Sequence, residues 1–200
     1  MTVETPTRHS PLAAWQDTLA QLPTGLQVRE LPCLTQLTLR AQPGSPAAQA
    51  VEALLGMPLP GPLRADMSGD VKVLWMGPDE WLLVAPEGRQ DDLLAQLRSA
   101  IGDEFATVTD VSAQRTTLAL SGRLVRTVLA QGCAIDLDPR VTPVGSCLTT
   151  VLAQAPITLV VRGEPEDTAS GVWLLVRSSF ASYLATWLVD ACTEYRGANE

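Results

Sequence analysis

Side-chain catalysis needs groups that change protonation or bonding near neutral pH, and this chain holds few of them. It has one histidine, His9, and four cysteines, Cys33, Cys133, Cys147 and Cys192. A Ser-His-Asp or Cys-His site would have to be built on His9, which stands in a loose N-terminal stretch. No two cysteines form a C-x-x-C pair, and they are too dispersed for a structural zinc. The single lysine, Lys72, belongs to no phosphate loop. No G-x-G-x-x-G follows a strand, so neither nucleotide fingerprint is present.

Carboxylates do occur in pairs: Asp66 with Asp70, Asp79 with Glu80, Asp91 with Asp92, and Asp136 with Asp138. General acid–base work needs a cleft that drives two pKa values apart. Each pair also has a simpler reading. Asp79 and Glu80 follow Pro78 and read as turn chemistry. Asp91 and Asp92 complement the positive start of a helix. Asp66 and Asp70 lie in a loop with Ser68 and Gly69. Asp136 and Asp138, before Pro139, are the best candidates for a functional pair.

Composition narrows the classes. Of 200 residues, 46% are hydrophobic and 18% charged, enough for a sizeable core in one large or two small domains. A net charge of −8 argues against a nucleic-acid partner. The start carries no basic segment followed by an apolar core, and no apolar run reaches the roughly 18 residues that would suggest a span. The expected setting is the cytoplasm, with reduced thiols and no membrane.

The elements that would hold any site follow from periodicity. Residues 1–25 read as an arm and a short helix, begun by Ser10-Pro11 and stopped by Pro23 and Gly25. From residue 26 to 111 the order is strand, helix, loop, hairpin, helix, strand. Leu34–Leu39 alternates as a half-buried strand. Ser45-Pro46 caps a helix that stops at Gly56. Val71–Met76 and Glu80–Ala85 form a hairpin through Gly77-Pro78. Leu93, Leu94, Leu97, Ala100 and Ile101 share one helical face.

Residues 112–193 repeat the pattern. Thr116–Leu120 echoes Thr35–Leu39, and Trp173-Leu-Leu-Val176 echoes Trp81-Leu-Leu-Val84. The polar tip at 163–170 closes a second hairpin, and 194–200 is a tail. The expectation is an α+β fold of two similar antiparallel-sheet/helix subdomains, each with a ferredoxin-like β-α-β-β-α-β rhythm. In that reading Trp81 and Trp173 anchor corresponding sheets.

One segment exceeds ordinary core chemistry. The helix from Ser179 to Cys192 carries Phe180, Tyr183, Leu184, Trp187, Leu188, Val189 and Ala191, apolar beyond a single face. A helix apolar nearly all round is covered on both sides. Two readings stand. Phe180, Tyr183 and Trp187 face another chain, as interface aromatics do, or the aromatics fill a gap between the two halves.

Val108–Ser112, Arg115, Leu118–Gly122, Leu129, Gly132–Pro139, Ser178–Phe180, Tyr183, Trp187 and Leu188 together resemble the gamma-subunit family of heterotetrameric sarcosine oxidases. Gly77–Leu83 and Arg8–Leu12 fit the same resemblance, which covers most of the chain. The Asp110-Val-Ser112 stretch, followed by strand, Gly and helix, is also similar to the folate-dependent aminomethyltransferases. The resemblance implies an aminomethyltransferase-like fold and an oxidase of four different subunits. That complex turns sarcosine into glycine with hydrogen peroxide and, given tetrahydrofolate, makes methylenetetrahydrofolate. FAD, FMN, NAD and zinc are implied in the other subunits, none in this chain. The partners implied are alpha, beta and delta subunits, chiefly alpha.

No catalytic, cofactor-binding or metal-binding residue carries over, so the chain is expected to be a non-catalytic subunit. Two alternatives remain at this stage. One is a stand-alone folate-binding one-carbon protein, for which Arg115, Arg140 and Arg177 are eligible to hold the glutamate tail. The other is a gamma subunit of an oxidase for a different N-methyl amino acid.

Overall fold

The computed structural model describes residues 8–163 and 171–195. The hairpin tip expected at 163–170 therefore lies, past Gly163, outside the described residues, as do the first seven residues and 196–200.

The first helical segment is a 3-10 turn running into α1 (Gln16–Ala20). Ser10 Oγ accepts from Leu12 N–H at 3.0 Å, fixing the entry. Then come β1 (Gln27–Leu31), β2 (Thr35–Ala41) and α2 (Pro46–Leu55). Ser45 caps α2 by accepting from Ala48 N–H at 3.2 Å, and Gly56 ends it in the left-handed conformation. The loop expected at 56–70 contains a two-residue strand, β3 (Ala65–Asp66). The hairpin β4 (Lys72–Gly77) and β5 (Glu80–Ala85), α3 (Gln90–Ile101) and β6 (Ala106–Asp110) follow as expected. The second half is β7 (Arg115–Ser121), α4 (Val125–Ala130), β8 (Cys147–Leu152), β9 (Ala155–Arg162), β10 (Gly171–Arg177) and α5 (Ala181–Ala191).

These strands form two five-stranded antiparallel sheets, ordered β3-β4-β5-β2-β6 and β8-β9-β10-β7-β1. The orders correspond strand for strand, with β1 in the place that β6 takes in the first sheet. Among the described residues the second repeat has no closing strand of its own, and residues 27–31, read from sequence with the first half, take that place. Val28 pairs with Leu120 and Leu31 with Thr117. No sequence signal could assign that partner, because alternation fixes a strand's faces and not its neighbour.

The sheets stack face to face, with helices on both outer sides. Leu74, Leu82 and Val84 meet Cys147, Val160, Trp173 and Leu175 between the sheets. On the outer face of the second sheet, Leu118, Leu120, Leu159, Leu174 and Val176 pack against Leu19 of α1, Val128 and Leu129 of α4, and Leu184 and Leu188 of α5. On the outer face of the first, Leu37, Leu39, Trp81 and Leu83 pack against Val51 of α2 and Leu93 and Leu97 of α3.

The shared Trp-Leu-Leu-Val string is out of structural register by one residue. Leu37 pairs with Leu83, and its equivalent Leu118 pairs with Leu174. Trp81 therefore faces the helices and Trp173 faces the other sheet. The expectation that the two tryptophans play the same part is corrected, since a shift of one residue turns a strand side chain to the opposite face. Trp81 Nε1–H donates to Pro60 O at 2.8 Å. Trp173 Nε1 is buried without a hydrogen-bond partner among the described residues, under the guanidinium of Arg162 at 4.9 Å from the ring centroid.

Candidate functional site

Within the carboxylate pairs, Asp66, Asp79, Asp136 and Asp138 each make a turn or surface contact. Asp138 accepts from Arg140 Nε at 2.9 Å and Nη2 at 2.8 Å. Those bonds, with one from the Arg140 backbone, pull its pKa down to about 2. Asp136 Oδ1 accepts from Asp138 N–H at 2.9 Å. Thr142 Oγ1 donates to Asp136 O at 2.6 Å, and Arg126 donates to Leu137 O, so this loop is tied across its base. Asp79 pairs with Arg40 at 3.0 Å on the surface. Asp66 accepts from Ser68 N–H and Oγ, which holds its pKa below the ordinary range. Asp91 and Asp92 occupy the first turn of α3.

The thiols are similarly placed. Cys133, Cys147 and Cys192 are buried. Cys147 sits between the sheets, where burial pushes its thiol up to about 12 and Sγ donates to Trp75 O at 3.4 Å. Cys33 is half-buried, with a backbone φ of 56°. Among the described residues, no three His, Cys, Asp or Glu side chains gather as a metal site would require.

On α5 the structure corrects the expectation of an all-round apolar helix. Ala181, Leu184, Ala185, Leu188 and Ala191 are buried, while Ser182, Thr186 and Asp190 are exposed. The three polar residues recur every fourth position and so line one open face. The helix covers the outer side of the second sheet. The gap between the halves is filled by sheet residues, not by its aromatics.

The three aromatics differ in setting. Trp187 is half-buried against Gly132, where an added Cβ would stand 2.6 Å from indole Cζ2. Phe180 is half-buried and meets Tyr183 edge to face, with centroids 6.4 Å apart. Tyr183 is 39% exposed, and its hydroxyl accepts from Gln154 N–H at 3.3 Å. Tyr183 is thus the member of the set most open to solvent.

Of the three arginines eligible on sequence for an acidic ligand, Arg140 is held by Asp138. Arg115 and Arg177 stand directly opposite each other in the β7–β10 ladder. Arg115 lines a cavity of about 250 Å³ with Arg8, His9, Cys33, Asp110 and Ser112. His9 had been set aside as part of a loose arm; it reaches this cavity because Ser10 bonds Glu30 of β1. The cue in the sequence was the pair of arginines, but strand register was needed to bring them together.

Comparison with known proteins places this geometry. The model of the sarcosine oxidase gamma subunit family matches residues 40–194. A sarcosine oxidase subunit gamma from Corynebacterium sp. strain P-1 is 39% identical, covering 96% of this chain and 93% of that protein. One from Corynebacterium sp. strain U-96 is 41% identical, covering 86% and 81%. Among solved structures, the heterotetrameric sarcosine oxidase from Corynebacterium sp. U-96, in complex with pyrrole 2-carboxylate, contains a chain that matches with a TM-score of 0.86. That match has 38% identity and covers 96% of this chain and 98% of that one. The aminomethyltransferase T of the glycine cleavage system from Bartonella henselae matches with a TM-score of 0.64 at 14% identity. It covers 87% of this chain and 48% of that protein, and shows a shared fold. The chain belongs to the sarcosine oxidase gamma subunit family.

Proposed function

We propose that this chain, as a member of that family, is the structural gamma subunit of a cytoplasmic heterotetrameric sarcosine oxidase and contributes no catalytic residue. The observation that carries the reading is the end-to-end match to one chain of such a complex, at a TM-score of 0.86. The part played by the polar groups supports it. Asp66, Asp79, Asp136 and Asp138 are each engaged in a turn or a surface pair. In the complex, alpha, beta and delta subunits hold FAD, FMN, NAD and zinc, and alpha is the main contact. The complex converts sarcosine to glycine with hydrogen peroxide, and with tetrahydrofolate it yields methylenetetrahydrofolate.

Phe180, Tyr183 and Trp187 are the proposed contact, with Tyr183 at its open edge. A ring 39% exposed beside a second ring gives an apolar anchor with a polar tip.

The test is co-expression with the flavin-bearing subunits, with purification on a tag on this chain. A yellow complex is expected, and a colourless, poorly soluble product from the chain alone. A soluble monomer that binds tetrahydrofolate tightly by calorimetry overturns the reading. For the contact, Tyr183→Asp should release a folded chain from the complex. Retention of that variant at wild-type yield removes the α5 edge from the interface.

A further inference from the structure

The chain passes from the first sheet to the second through residues 111–114, between β6 and β7, and the 250 Å³ cavity opens against that crossover. Arg115 and Arg177 project from adjacent strands at directly opposed positions. Residues so placed have Cβ atoms ~5 Å apart, and like charges there repel. Arg115 is half-buried, and burial together with Arg177 holds its pKa below the ordinary range. Among the described residues, neither guanidinium has an ion pair or a side-chain hydrogen bond.

The acidic groups close by are already engaged. Asp110 accepts from Ser112 N–H at 2.9 Å and Ser112 Oγ at 2.5 Å. Glu30 accepts from Ser10 Oγ and from Thr116 Oγ1 at 2.6 Å. Glu87 acts on the Cys33 thiol and helps to raise its pKa. Glu80 stands opposite Arg40 on the first sheet and is the weakest of the charges acting on Arg115.

The wall behind the arginines is fastened from both halves. Gln36 N–H donates to Ser112 Oγ at 3.0 Å, and Gln36 Nε2 donates to Arg115 O at 3.1 Å. Ser178 donates from N–H to Gln114 O at 3.0 Å and from Oγ to Ala113 O at 3.1 Å. The crossover is therefore rigid, and a ligand meets a preformed surface.

We propose that the edge of this cavity is a carboxylate-binding site, in which Arg115 of its lining and Arg177, exposed beside it on the adjoining strand, with Arg8 at the wall, take one planar carboxylate group. A guanidinium presents a donor fork that matches a carboxylate with two parallel bonds. One negative charge between two repelling positive ones also relieves the strain of placing them together. The group can come from a free small carboxylic acid or from an Asp or Glu side chain of a neighbouring subunit. The site goes beyond a purely structural role for the chain, because it assigns it a ligand.

The experiment titrates succinate by calorimetry into the complex purified on this chain, wild type beside R115Q and R177Q. Saturable binding that weakens at least tenfold in both variants identifies a free carboxylic acid as the source. If succinate does not bind, the R115Q/R177Q double variant is run by gel filtration across rising salt. Loss of the chain from the complex at lower salt than wild type identifies a neighbour's carboxylate. Unchanged succinate affinity together with unchanged salt release overturns the proposal. R177Q should melt at or above the wild-type temperature, since it removes half of a repelling pair. A lower melting temperature also overturns the proposal, because it means the arginines are already satisfied. A chain that stays soluble without forming the complex bears on the assembly reading and not on this one; the succinate titration then proceeds on that soluble chain.

Discussion

Trp81 and Trp173, carried by the same four-residue string, face opposite sides of their sheets: Trp81 lies toward α2 and α3, Trp173 toward the partner sheet. The consequence is a difference in what each indole does. Trp81 Nε1–H reaches Pro60 O at 2.8 Å, whereas Trp173 Nε1 is buried with no acceptor among the described residues. Trp81→Phe leaves the carbonyl of half-buried Pro60 short of its partner; Trp173→Phe removes a donor that has no acceptor among the described residues. We expect Trp81→Phe to cost ~1 kcal/mol more than Trp173→Phe, from the net worth of one hydrogen bond. Urea unfolding of the two variants measures this, and equal midpoints would contradict it.

Gly122 holds φ at 113°, and a Cβ there would stand 2.2 Å from Gly25 O. Leu124 N–H donates to that same carbonyl at 2.9 Å, so the N-terminal segment and the start of α4 share one contact. Backbone cannot move aside as a flexible side chain can. Gly122→Ala should cost about 3 kcal/mol, combining left-handed strain with overpacking. Gly44, at φ 73° with open space around it, serves as the control for conformation alone. If Gly44→Ala costs as much, the clash is not the cause.

The Asp138–Arg140 pair sets a pH dependence. The folded carboxyl has its pKa lowered from 3.8 to about 2, mainly by the Arg140 side chain. A group whose folded pKa is depressed stabilises the fold above its unfolded pKa and loses that contribution as pH falls through the folded value. Asp138→Asn should therefore lower the melting temperature at pH 7, and the two curves should converge between pH 4 and pH 2. A gap that persists unchanged at pH 2 would assign the effect to packing.

Thiol labelling should separate the cysteines. Only the thiolate attacks a labelling reagent. Cys147, pushed up to about 12, and the buried Cys133 and Cys192 should stay unlabelled in the native chain at pH 8. Cys33 should react alone and slowly, because burial and Glu87 raise its pKa. Mass spectrometry before and after denaturation reads the difference, and native labelling of Cys147 would contradict its place between the sheets.

Much of the local architecture was legible in the sequence. Period-two runs at Leu34–Leu39 and Thr116–Leu120, the Ser45-Pro46 cap and the Gly77-Pro78 hairpin specify strands, a helix and a turn through contacts a few residues long. An α+β fold of two similar halves was legible too, because the order of elements repeats, and its aminomethyltransferase-like character was implied by the resemblance around Asp110-Val-Ser112. The amphipathic face of α5 was present but overlooked: Ser182, Thr186 and Asp190 are four apart, and counting apolar residues hid their alignment.

What the sequence by itself determined was the alternation within each strand and the charge on each side chain. Tertiary structure decided which strands are neighbours. It put β1 beside β7, and so closed the second sheet with a strand from before the first. It turned Trp173 to the opposite face from Trp81 by a one-residue offset in pairing. It set Arg115 against Arg177, 62 positions apart in the chain. The physical reason is common to all three. Strand partnership is set by burying the faces of two whole sheets and two helical layers at once, a sum over distant residues that no short window of sequence contains.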